Sequence, residues 1–181
     1  NVAVAANRIK IMMCSSDPNI AGRPGSSYPM GLSSYHGNGG IWYDRSGKDG
    51  MFDDLKNSGR RIEAVSDGTS NTALYAEVAA GALQAGSAKH RIADCFQGTT
   101  TLPYQRLTWT QLQQGRNELP NQNWQTASLA DPSWAAPGWQ FKGYPYVEGS
   151  PWRIWYGHLL PPNKPCWRPD NSWWSIVVPA S

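Results

Sequence analysis

Residues 61–77 read RIEAVSDGTSNTALYAE, and three patterns follow one another within them. Residues 61–65 leave room for about one helical turn before SDG ends it. Beyond the polar centre, Thr72, Leu74, Ala76 and Val78 alternate with Ala73, Tyr75 and Glu77. That alternation predicts a strand over 72–78 with both faces partly covered. A helix capped by Ser66 or Asp67 and running on through AEVAAGALQAG is the competing expectation. Between the two lies SDGTSNT. Asp, Ser, Asn and Thr side chains bond back to nearby backbone groups and Gly68 tolerates positive φ, so this mix builds a tight, self-satisfied turn without any ligand.

A chain of 181 residues has the size of one domain, expected to span 1–181, and is long enough to bury a core. Its net charge of +3 is small and scattered, with no basic stripe, which argues against nucleic-acid binding. Eighteen Gly and 14 Pro against three Phe point to short elements joined by long loops. No window approaches the roughly 18 consecutive apolar residues of a membrane helix, so no span is expected in this sequence.

Other segments add pieces of an α+β fold with an antiparallel sheet, long irregular loops and little helix. VAVAANRIKIMM passes into the alternation Ile9, Ile11, Met13, which predicts a strand entering Cys14. SSDPN follows as a turn. WSIVV, residues 174–178, reads as the last strand. Cys14, Cys95 and Cys166 allow one internal disulfide at most. Because Cys14 and Cys166 both sit beside Pro-containing loops, their bridge is the expected pairing, and it would imply an oxidising compartment.

Candidate chemistry is sparse. His36, His158 and Asp67 are the available parts of a nucleophile–base–acid arrangement, but no GxSxG elbow or cysteine-protease pattern frames them. His36, His90 and His158 lie 54 and 68 residues apart, without the short spacing of a zinc site. The loop YDRSGKDGMFDD offers Asp44, Ser46, Asp49, Asp53 and Asp54, hard oxygen ligands suited to calcium. A solvated acidic turn is the competing reading, since Lys48 occupies a ligand position. Nine of the ten Trp fall between 102 and 174, interleaved with Pro, Gly and Asn. They either fill the core of a loop-rich fold or, as Trp124, Trp134, Trp139, Trp152 and Trp155, form a surface on which sugar rings stack.

Five segments stand in a characteristic order. IKIMMCSSDPN, SSYHGNGG, DGMF, RIEAVSDGTSNTALYAE and YGHLLPPNKPC together resemble the planctomycete-type prepilin-like family, domain of unknown function 1559, also filed under a solute-binding-protein label. The resemblance covers nearly the whole chain. The N-terminal assembly helix and the C-terminal His-x9-Asp-Gly pattern usual in that family are not found in 1–181, so the sequence is expected to be the middle of such a protein.

The resemblance implies a pilin- or pseudopilin-like extracytoplasmic head, at the cell surface, periplasmic or secreted. Such heads act by assembly with pilin-like subunits or by contact with a ligand such as a polysaccharide. It also favours a loop calcium ion. In a domain of this kind Asp67, Gly68, Thr69, Ser70, Asn71 and Thr72 are expected to form a buried polar knot. Rival expectations are a hydrolase of esters or lactones, calcium-dependent or not, using His36 or His158, and a Trp-rich glycan-binding module.

Overall fold

The computed structural model describes residues 2–17, 19, 31–41, 50–52, 61–81, 89–100, 102, 107–130, 142–143, 146–147, 149, 151–169 and 176–181. Five short strands form two small sheets: β1 Tyr35–Asn38, β2 Tyr75–Glu77, β3 Cys95–Gln97, β4 Trp155–Tyr156 and β5 Cys166–Arg168. In the first sheet β1 is central, antiparallel to β2 and parallel to β4. The second pairs β3 with β5 in parallel. The fold is therefore α+β with little helix and long connections, and its pairing is mixed, with the antiparallel arrangement confined among these strand pairs to β1 and β2.

The β3–β5 register places three chemically matched pairs side by side. Cys95 opposite Cys166 forms a disulfide with the Cα atoms 4.4 Å apart, Phe96 lies against Trp167 with ring centroids 5.7 Å apart, and Arg168 Nε donates to Gln97 Oε1 at 2.8 Å. Directly opposed side chains are the unit of sheet stabilisation. Because successive residues point to opposite faces, this ladder also separates two apolar clusters. Phe96 and Trp167 join Leu102, Leu119, Leu159, Leu160 and Val177, whereas the disulfide joins Val78, Ala130, Tyr156, Ile176 and Val178.

Residues 176–181 stitch the sheets together. Trp167 and Val177 exchange backbone hydrogen bonds, Gly157 N donates to Val178 O at 2.8 Å, Asn163 N to Ala180 O at 2.8 Å, and Ser181 N to Glu77 O at 2.8 Å. The strand expected over 174–178 thus appears, in its described part, as a single bridge at Val177. The ten-residue helix Trp109–Glu118 was not expected from the sequence. Its signal was present all the same: Thr108 and Gln111 make a capping box, with Gln111 N donating to Thr108 Oγ1 and Thr108 N donating to Gln111 Oε1.

The N-terminal strand expectation is corrected. VAVA forms a short helix, Val2–Ala5, and KIM a 3₁₀ turn, Lys10–Met12, with Ile11 86% exposed. Met12 N and Met13 N donate to Ile9 O and Lys10 O, so these N–H groups close a tight turn and the Ile9–Ile11 alternation builds no ladder. In the quoted stretch 61–77 the expectations fare better: Ile62–Ala64 is one 3₁₀ turn, and β2 lies inside the predicted 72–78.

Candidate functional site

The polar residues that the sequence scatters over four segments converge on β1. Ser34 is one junction. Its backbone N donates to Met12 O at 2.8 Å, its carbonyl accepts from Val78 N at 2.7 Å, and its hydroxyl accepts from Cys14 N at 3.1 Å while donating to Asp17 Oδ2 at 3.1 Å. Asp17 is itself buried, and its carboxylate also accepts from Ala80 N at 2.8 Å and from Asn19 N at 3.0 Å. Residues 14–17 therefore form a turn whose acid is turned inward to fasten 76–80 onto 33–38.

Asn38 is the second junction. Its side-chain amide donates to Ala73 O at 2.7 Å and its Oδ1 accepts from Gly40 N at 2.8 Å, while its carbonyl receives both Met51 N and Phe52 N at 3.0 Å. Residues 50–52 are thereby docked against GNGG. The contact is so close that a Cβ on Gly50 would strike the backbone of Gly39 and Gly40, which is why only glycine fits.

Beside these junctions lies a pair of buried nitrogen bases. Lys142 is fully buried and its ammonium donates to Ile92 O at 2.5 Å. Burial pushes it down to about 8, against the upward pull of Asp94 and Asp17. His36, also without exposed surface, donates from Nδ1 to Trp155 O at 3.2 Å. Burial drives its pKa down to about 3, the carbonyls of Trp155 and Ser33 oppose this, and the Lys142 charge adds to it. Its Nε2 is sealed from solvent without a well-formed hydrogen bond.

Such a histidine is neutral at any physiological pH and cannot exchange protons with a substrate in solution, so it suits a structural role and not a general base. The other two catalytic candidates lie in different surroundings. His158 is exposed, edge-on to Tyr156 at 5.0 Å, and Asp67 is exposed in the 66–72 turn.

That turn corrects a further expectation. Asp67, Gly68, Thr69, Ser70 and Asn71 are exposed and Thr72 is half-buried, so they form no buried knot. The turn chemistry itself is as the residue types predict. Asn71 Nδ2 donates to Asp67 O at 2.9 Å, Thr72 Oγ1 to Gly68 O at 3.2 Å, and Gly68 takes φ +81°.

The expected Cys14–Cys166 bridge is also corrected. Cys166 pairs with Cys95, and Cys14 carries a thiol whose Sγ lies 2.9 Å from Ser16 Oγ. The signal overlooked was a repeated tripeptide, Cys-aromatic-polar, at CFQ and CWR, which places both cysteines at equivalent positions of two strands. Among the proposed stacking residues, Trp155 is 8% exposed and Trp124 half-buried against Phe96 at 5.7 Å, so both fill core. Trp134, Trp139 and the side chain of Trp152 lie outside the described residues, as do Asp44, Ser46, Asp49, Asp53 and Asp54. Among the described residues no group of three or more His, Cys, Asp or Glu could hold a metal ion, and no helix is long and apolar enough to cross a membrane.

The family model SBP_bac_10, described as a protein of unknown function (DUF1559), matches residues 1–170. No curated protein and no solved structure matches the chain.

Proposed function

The chain belongs to the DUF1559 family, and from that premise we propose that it is an extracytoplasmic, pilin-like domain acting by assembly or ligand recognition and not by turnover. The observation that carries this reading is the Cys95–Cys166 disulfide, set between neighbouring strands on the face of a buried cluster. Disulfides in that position persist in oxidising compartments and are rare in reducing ones. The burial of His36 supports the non-catalytic half, since the chain's histidine most deeply placed among polar groups is spent on packing.

The test begins with thiol accounting on protein secreted through an oxidising compartment. Alkylation under denaturing conditions is expected to label Cys14 alone before reduction and all three cysteines after it. Reduction is expected to cost about 4 kcal/mol, on the order of 10 °C in Tm, for a bridge closing a 71-residue separation. Three reactive thiols in the unreduced protein, or an unchanged Tm, would overturn the compartment. Turnover of chromogenic esters or lactones, lost on chelation or in His158→Ala, would overturn the recognition reading.

A further inference from the structure

We propose that the groove between the end of β3 and the loop after the helix Trp109–Glu118 is a subsite for a neutral saccharide. The inference rests on the recognition half of the preceding reading and gives it a place and a ligand class. Gln97 and Thr99 line one wall, and Gln122, Asn123, Thr126 and Ser128 the other. Gly98 and Ala127 complete the lining, and every other side chain in it is an uncharged amide or hydroxyl. That is the complement of a sugar, whose hydroxyls each donate and accept and which offers no charge to pair. A phosphate or carboxylate ligand would call for a cation facing the groove; among the described residues the lining holds no charged side chain, and Lys89 Nζ behind it is engaged by the carbonyls of Gln125 and Ala127.

The groove divides into a fixed floor and an available rim. Gln97 donates from Nε2 to Arg168 O at 2.9 Å and accepts at Oε1 from Arg168 Nε, so its amide has one orientation. Gln122 is held likewise: Oε1 accepts from Thr99 N at 2.9 Å and Nε2 donates to Thr100 Oγ1 at 3.1 Å, which in turn donates to Glu118 Oε2. Thr99, Asn123, Thr126 and Ser128 are exposed. Among the described residues, the hydroxyls of Thr99 and Ser128 and the amide NH₂ of Asn123 have no protein partner, whereas Asn123 Oδ1 is engaged by Gln125 N.

The rim is also braced from behind. Lys89 Nζ donates to Gln125 O at 3.0 Å and to Ala127 O at 2.7 Å, and Trp124 rests on Phe96 in the apolar cluster beneath. Donors held in place before the ligand arrives lower the ordering cost of binding, and a rigid wall with a few outward polar groups is what a small polar ligand requires.

Calorimetric titration of the full chain with cellopentaose, chitopentaose and mannopentaose, with an oligogalacturonate as the anionic control, tests the site. At least one neutral pentaose is expected to bind and the anionic one not. Ser128→Ala and Asn123→Ala are each expected to weaken that binding about three- to tenfold, the loss of one ligand hydrogen bond. Ser128→Trp, which fills the groove, is expected to abolish it. Ser128→Ala loses no internal side-chain bond, so its Tm is expected to match the parent and keeps the result interpretable if Asn123→Ala loosens the loop. Binding of none of the neutral pentaoses, binding of the oligogalacturonate alone, or binding indifferent to both Ser128 substitutions would overturn the site. None of these outcomes touches the thiol accounting, so failure here is distinct from failure of the compartment.

Discussion

Two stretches of this chain look alike on paper, SSDPN at 15–19 and SDGTSNT at 66–72, and the fold treats them in opposite ways. In the first, Asp17 is buried and takes hydrogen bonds from Ser34 and Ala80, 17 and 63 residues away. In the second, Asp67 and its neighbours are exposed and the side-chain bonds reach no further than four residues. Identical residue chemistry thus serves long-range assembly in one place and local shape in the other. A long-range bond to a buried group organises the core, because removing one partner strands the others away from water. A local bond at the surface can be replaced by solvent.

The largest effect that separates the two regions is expected from Asp17→Ala. It removes the acceptor of Ser34 Oγ, Ala80 N and Asn19 N, and unpaired buried donors cost about 1 to 3 kcal/mol each, so a loss of roughly 3 kcal/mol or more should appear in urea denaturation. A loss under about 1 kcal/mol would break the contrast.

An intermediate effect concerns His36, which sits on β1 beside the Asp17 and Ser34 junction. Its folded pKa of about 3 lies below the ordinary 6.5, so on acidification the unfolded chain takes up the proton first. Stability from this group is therefore complete above pH 6.5 and falls as the pH drops towards 3, by at most about 1.4 kcal/mol per pH unit. Lys142, at about 8, stays charged through that window and adds no slope. His36→Gln should flatten the dependence between pH 6.5 and 5. A variant as steep as the parent there would assign the acid sensitivity elsewhere.

The smallest effect is expected from Asn71→Ala in the exposed turn. It deletes one surface bond to Asp67 O and should cost less than about 1 kcal/mol, read as a small shift in Tm. A loss above about 2 kcal/mol would mean that the turn is engaged as Asp17 is, and the two stretches would no longer differ in kind.

The same contrast explains how much was legible in the sequence. Local features were read well: the single turn at Ile62–Ala64, the positive φ of Gly68, and a strand within 72–78 depend on neighbours in the chain. What could not be read was whether a polar cluster faces inward, because burial of Asp17 is decided by Ser34 and Ala80 and not by SSDPN itself. The Ile9 and Ile11 alternation misled for a related reason. A period of two marks a strand only where a partner strand exists to complete its hydrogen bonds, and here the N–H groups of Met12 and Met13 turn back to Ile9 O and Lys10 O. Of the candidate site, the turn chemistry at 66–72 was foreseeable, whereas the partner of Cys166 and the inward position of Trp155 required the register of β3 with β5 and of β1 with β4.

The disulfide has a mechanical side. A pull on the two ends of the chain can extend only the residues outside the ring that Cys95 and Cys166 close, so 71 residues, or roughly 240 Å of extended chain, are withheld from the load. The helix Trp109–Glu118 and both walls of the polar groove lie inside that ring. Tension applied at the ends would reach the segments on either side of the ring first, and the stretch of chain that carries both groove walls would bear none of it.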